Sequence, residues 1–210
     1  MTPFSYRRVS RECALKALYS TELGQGQLAD ALESVFQEFS DPELVGDLLQ
    51  EVDYPEATLD LVQRFARELA NGVWKSRVAL DRMISAAIQD YDYNRLALID
   101  KNLMRIAVYE LENIPYIPPR VTINEAIEIA KRYSTTESGK FVNGVLGNVL
   151  KKSVKANFDQ RNAPKDPDFD ELERIYKAPV VEIEEVTVDA DSEEGKAASR
   201  YGVWTNRAED

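Results

Sequence analysis

Three features of the 210-residue chain predict an all-α fold. Apolar residues recur at helical spacing through most of the first 152 positions. No part of that body alternates with period two, and its prolines fall between the apolar stripes rather than within them. With 44% hydrophobic residues, the chain can bury a real core in one or two domains.

In chain order, the first helix carries Cys13, Ala14, Ala17 and Leu18 as its apolar stripe, and Gly24 and Gly26 break it. Leu28, Ala31, Leu32, Val35, Phe36 and Phe39 give a second amphipathic helix. Ser40 to Pro55 is acidic and irregular, with a short helix expected around Leu44 to Glu51. Two further stripes follow: Val62, Phe65, Ala66, Leu69, Ala70 and Val73, then, after Lys75, Leu80, Met83, Ile84, Ala87, Ile88 and Tyr91. Asp92 to Arg95 links them to a central helix, Leu98 to Asn113. This helix is apolar on more than one face, as expected of one that others pack against. It stops before Pro115, Pro118 and Pro119, which lack amide donors and push preceding residues out of the helical region.

Thr122 and Glu125 have capping-box spacing and predict the next helix start. Ser134 and Glu137 repeat the box before Phe141, Val142, Val145, Leu146, Val149 and Leu150. Gly144 and Gly147 each cost that last helix about 1 kcal/mol against alanine, which suggests a close neighbour against its backbone. Beyond Lys155 the composition turns polar and acidic. Residues 155–210 hold 15 acidic and 8 basic side chains, so only −4 of the net −11 belongs to the preceding body. The reading is a helical domain over 1–155 and a largely disordered acidic tail over 156–210. Truncation after Lys155 should therefore leave the body intact.

Composition excludes several chemistries. The chain has no histidine and one cysteine, Cys13. That removes histidine acid–base catalysis, Ser-His and Cys-His nucleophile pairs, histidine-ligated metals and any internal disulfide. No phosphate-binding glycine loop, dinucleotide fingerprint or paired-carboxylate motif stands in their place. We expect no enzyme, no cofactor and no metal. No apolar run spans a bilayer and no signal-peptide pattern opens the chain, so the expected location is cytoplasmic, without membrane contact. The one basic feature is the N-terminus, where Arg7, Arg8, Arg11 and Lys16 face Glu12 alone over the first twenty residues. These arginines are expected at the solvent edge of a docked helix. Guanidinium groups bind phosphate bidentately and stack on bases, which suits RNA; a merely solvated face is the other reading.

Four segments carry a resemblance. They are Arg8-Val9-Ser10-Arg11-Glu12-Cys13-Ala14-Leu15-Lys16-Ala17-Leu18-Tyr19, Leu103 to Leu111 (LMRIAVYEL), Ile123 to Lys131 (INEAIEIAK) and Lys140 to Leu146 (KFVNGVL). In this order, with a short proline-bearing link between the middle two, they resemble the NusB transcription antitermination factors over roughly Tyr6 to Lys152. The resemblance implies an all-α fold of about seven helices in two packed subdomains. It implies binding of boxA-type single-stranded RNA together with a ribosomal small-subunit protein, NusE. That assembly serves the RNA polymerase antitermination complex during ribosomal RNA transcription.

Carried over residue by residue, the resemblance puts Arg7, Arg8 and Arg11 on RNA. Lys140 and Phe141 serve phosphate and base, with Glu137 moderating affinity; Lys16, read from the basic N-terminus itself, is counted with the RNA-binding residues although it points to a different side of the helix. Asp100 becomes an acidic contact to the ribosomal protein, with Tyr19 close to the same region. Asn124 and Asn143 are read as helix-end or packing residues. The Tyr19–Leu103 interval and the acidic tail both exceed compact members of the family. Two other function classes stay open. A recognition module for a ribosomal RNA methyltransferase would need a cofactor-binding domain that the residues after Lys152 are too few to form. The other is a structural or self-associating helical protein without direct RNA binding.

Overall fold

The computed structural model describes residues 5–24, 26–40, 59–88, 91–171 and 174. The short helix expected near 44–51 and the later part of the acidic tail lie outside them. Among the described residues, six α-helices of thirteen residues or more follow one another: α1 (Ser5–Gly24), α2 (Leu28–Ser40), α3 (Leu59–Ala87), α4 (Leu98–Asn113), α5 (Pro119–Tyr133) and α6 (Thr136–Leu150). Among the described residues there is no strand, and the fold is all-α.

α1 packs on α2, α3 and α4, while α5 and α6 pack on each other and on α4. The broad apolar surface of α4 is explained by this arrangement. It touches α1, α3, α5 and α6, and Leu103, Met104, Ile106, Ala107, Val108 and Leu111 are all buried. The two stripes on either side of Lys75 belong to one helix, because Val73 and Leu80 are two full turns apart and therefore in phase. Nothing between them breaks a helix. Gly72 is required by packing: a Cβ there would lie 2.0 Å from the Tyr109 ring, so its absence lets α3 and α4 approach.

Both expected capping boxes are corrected. α5 begins at Pro119, whose fixed backbone and missing N–H suit the first helical position, with Pro118 as N-cap. Thr122 and Glu125 consequently sit inside the helix and point elsewhere. α6 is capped one residue later than expected: Thr135 Oγ1 accepts from the Ser138 amide at 3.0 Å, and Ser134 ends α5. Among the described residues the close neighbour expected at Gly144 and Gly147 is also absent, since a Cβ at either would meet nothing within 4 Å.

Four buried polar groups, Arg11, Glu110, Thr122 and Lys155, form one connected network. Arg11 of α1 forks onto the fully buried Glu110 of α4, Nε to Oε2 at 2.8 Å and Nη2 to Oε1 at 2.9 Å. Thr122 of α5 donates its hydroxyl to the same carboxylate. Just beyond α6, Lys155 Nζ donates to the backbone carbonyls of Glu110, Ile114 and Ile117 at 3.1, 2.6 and 2.7 Å. It thereby satisfies the open C-terminal end of α4 and its proline-bearing exit. Burial pulls the Lys155 ammonium down to about 8, with the Glu110 carboxylate pulling the other way. It is therefore still charged at neutral pH.

The packed body also continues past Lys155. Tyr6, Arg7 and Arg64 bond to Asp166 and Asp168, so the segment to 171 is part of the body. These contacts run against the expectation that truncation after Lys155 leaves the body intact.

Two expected outcomes follow from the packing. Glu110→Ala strands the buried Arg11 charge and should cost about 3–5 kcal/mol in a urea titration. Gly144→Ala and Gly147→Ala should each stabilise by roughly 0.5–1 kcal/mol, whereas Gly72→Ala should destabilise because the Tyr109 ring must move.

Candidate nucleic-acid interface

The N-terminal arginines separate by helical position. α1 is enclosed by three helices, and Tyr6, Val9, Ser10, Cys13, Ala14 and Leu18 are all buried. Arg7 and Arg11 are also inside, 4% and 3% exposed. Their expected place at the solvent edge is therefore corrected. Arg11 is committed to Glu110. Arg7 lies between the Phe65 and Tyr116 rings, 4.8 and 4.9 Å from their centroids, and pairs with Asp166 at 2.6 Å. The physical reason is that the buried surface of α1 extends well past the four-residue stripe read from the sequence.

Arg8 is the arginine that faces outward. Its side chain is 46% exposed, and it forks onto Glu125 of α5 with Nε and Nη2 at 2.8 and 2.7 Å. Burial works to raise the Glu125 carboxyl, but the Arg8 guanidinium overcomes this and holds it below the usual carboxylate range. An exposed pair of this kind contributes little to stability, so a phosphate can compete for the guanidinium at small cost.

One helical turn further along α1, Glu12 is buried beneath α5, where it accepts from the Tyr133 hydroxyl at 3.0 Å and meets Arg132 at 3.5 Å. Burial raises its pKa, with Arg132 opposing. Lys16, two turns beyond Arg8, is half-buried and 3.7 Å from Glu38.

α5 continues the cationic edge with exposed Lys131 and Arg132 in its last turn. The Lys131 stem packs over Gly139, whose Cβ would lie 3.3 Å from Lys131 Cγ. This brings the α5 end against the start of α6, where Glu137 and Lys140 are exposed. Phe141 is half-buried and meets Tyr91 edge-on at 5.8 Å between centroids. Arg8, Lys131, Arg132 and Lys140 are thus carried by α1, α5 and α6, with an aromatic pair at the α6 end. The sequence reading did not single out Lys131, Arg132 or Tyr91. The Lys131-Arg132 pair next to Tyr133 was the available signal; Tyr91 was read as a core position.

The expected partner-contact residues differ from each other. Tyr19 is 37% exposed near the end of α1. Asp100 is only 7% exposed, so its expected surface position is corrected: it lies in the first turn of α4 against α6. Asp100 Oδ2 accepts from the Ser138 hydroxyl at 3.0 Å, and Oδ1 has no hydrogen-bond partner among the described residues. Near this end of α1, Arg105 is buried and forks onto Asp81 at 2.6 and 2.9 Å while also reaching Glu22 at 2.8 Å, a cluster the sequence reading missed. Among the described residues, no group of three or more histidine, cysteine or acidic side chains is placed to hold a metal, and no helix is long and apolar enough to cross a membrane.

Comparison with known proteins is consistent along the body. The model of the NusB family matches residues 8–151. The transcription antitermination protein NusB of Desulfitobacterium hafniense is 39% identical over 155 residues, covering 72% of this chain and 95% of that protein. The Geotalea uraniireducens protein of the same name is 37% identical over 148 residues, covering 69% and 94%. Among solved structures, T. maritima NusB matches with a TM-score of 0.56 at 35% identity, covering 70% of this chain and 91% of that one. A structure of antitermination factors NusB and NusE in complex with double-stranded RNA shares the fold at 22% identity, with a TM-score of 0.55. The match covers most of the described helical body, and the chain belongs to the NusB family.

Proposed function

We propose that this chain is a transcription antitermination factor. It binds boxA-type single-stranded RNA together with the ribosomal protein NusE during ribosomal RNA transcription in the cytoplasm, and it acts by assembly rather than catalysis. The observation that carries this reading is the run of exposed cations Arg8, Lys131, Arg132 and Lys140 across α1, α5 and α6, ending at the Phe141–Tyr91 pair. Guanidinium and ammonium groups supply phosphate contacts, and a partly exposed ring supplies a surface for an unpaired base. The surface takes Arg8 from the original arginine cluster, while Arg7 and Arg11 are buried in the free protein. Glu137, exposed beside Lys140, lowers the local positive potential and moderates affinity.

Titration of labelled single-stranded RNA with Arg8→Gln/Lys140→Gln tests the surface. Loss of two phosphate contacts should weaken binding and flatten the slope of log affinity against log salt by about 1.4, at roughly 0.7 per contact on a single strand. The melting temperature should change little, because both side chains are exposed. Unchanged affinity and slope would leave this edge a solvated face.

The partner side of the reading rests on Asp100. Its Oδ1 is buried and has no hydrogen-bond partner among the described residues, so a donor brought by the ribosomal protein reaches it only where the α6 start moves aside. A hydrogen bond to a charged group is worth about 1.5–3 kcal/mol, so Asp100→Asn should weaken NusE binding by roughly 10- to 100-fold. RNA binding by the isolated chain should survive. If calorimetry gives an unchanged NusE affinity, Asp100 serves only the Ser138 hydrogen bond.

A further inference from the structure

Arg7 is held in the manner of an anion receptor. Its guanidinium lies against the Phe65 and Tyr116 rings, and Nε donates to the Tyr6 hydroxyl at 2.7 Å. This fixes the group so that Nη2 points to Asp166 Oδ1 at 2.6 Å and Asp168 Oδ2 at 3.5 Å. Burial pushes the Tyr6 hydroxyl well above its ordinary range, and as a protonated donor it reaches Asp168 Oδ2 at 2.8 Å. Arg64, adjacent to Phe65 on α3, adds Nη2 to Asp168 Oδ1 at 3.1 Å and to Glu171 at 3.0 Å. Two guanidinium groups and one hydroxyl therefore converge on a single anionic position. This donor set fits a phosphodiester as well as it fits carboxylates.

The occupants come from outside the part of the chain that matches the family model, which ends at residue 151. Asp166 also accepts from the Asp168 amide at 3.0 Å, closing a turn that presents both carboxylates together. Their side chains are 16% and 15% exposed and Arg64 is 52% exposed, whereas Arg7 and Tyr6 are buried, so an outside anion reaches those two only once this turn lifts away.

Resting on the RNA-binding reading above, we propose that Arg7, Arg64 and the Tyr6 hydroxyl form a phosphodiester site for the RNA strand. In the free protein, Asp166 and Asp168 occupy it as an intramolecular competitor. The C-terminal segment thus reduces RNA affinity until the strand displaces it. Because the competitor is tethered, its effect is independent of protein concentration.

The test uses the full chain and a short labelled single-stranded RNA of boxA type, titrated across a salt series. Asp166→Asn/Asp168→Asn frees the site. Asp159→Asn/Asp170→Asn makes the same charge change on the same segment at carboxylates that pair with Arg161 and Lys165 instead. A site open for a minor fraction of the time binds more weakly by that fraction, so the first variant should bind RNA about 3- to 10-fold more tightly than the control variant. Its salt slope should steepen by roughly 0.7 to 1.4, for one or two added phosphate contacts. Adding Arg7→Gln to the first variant should abolish the gain.

Equal affinities for the two variants would overturn the proposal and reduce the effect to net charge. A lowered melting temperature with no gain in affinity would also overturn it, leaving the segment as a clasp. If neither the parent nor the first variant binds RNA, the RNA-binding reading fails and this proposal fails with it. A parent that binds while the variant gains nothing sinks this proposal alone.

Discussion

The ion pair between Arg11 and Glu110 is the constraint on which the arrangement of helices depends. Neither group tolerates burial alone, because stranding either charge costs several kcal/mol. Their fork geometry fixes α1 against α4, and the Thr122 hydroxyl on the same carboxylate brings α5 into register with both. The backbone of Glu110 is held as well, by Lys155 from the far side of α6. One residue thus connects to three parts of the chain that lie 99, 12 and 45 positions away from it. Replacement of the pair by apolar groups of similar volume is often neutral or stabilising in other proteins. Its contribution here includes orientation, because the fork accepts only one rotation of α1 about its axis, in agreement with the buried apolar positions of that helix.

That rotation decides which arginines are available to a ligand. With Arg11 turned into the core, Arg7 lies one turn before it on the same side and is carried inward too. Arg8 is displaced by about 100° and emerges beside α5. The basic N-terminus is therefore two devices in one segment. Arg8 extends a cationic edge that α5 and α6 continue, and Arg7 faces α3 and the C-terminal segment.

The sequence made the helical class and the central role of α4 legible, because apolar periodicity reports burial directly. It carried less about polar burial. Arg7 and Arg11 read as surface residues because arginine is usually exposed, and only tertiary partners such as Glu110 and Asp166 make their burial tolerable. The Thr122–Glu125 spacing is that of a capping box, but two prolines supplied an earlier helix start, and both side chains were taken up by long-range partners. Asp100 failed as a surface residue for a related reason: the α6 start closes over it through Ser138. The candidate edge was half legible. Arg8, Lys140 and Phe141 stood in recognisable segments, whereas Arg132 and Tyr91 joined them only through packing.

The net charge of −11 raises the question of how such a chain can bind a polyanion at all. Screening answers part of it. At physiological ionic strength the Debye length is about 8 Å, so an approaching phosphate responds to nearby charges far more than to the whole chain. On the cationic edge, the nearest carboxylates are largely committed: Glu125 to Arg8, Glu128 to Lys131 and Glu12 to Tyr133 and Arg132. These pairs cancel the local negative field while leaving the cations exposed to exchange one anionic oxygen for another. Exchange of this kind costs least at Lys131, whose partner Glu128 is half exposed, and more where the released carboxylate is sheltered, as Glu12 is beneath α5. It becomes expensive where the carboxylate is the partner of a buried cation, which limits the RNA-facing surface to Arg8 and its neighbours unless the C-terminal segment moves.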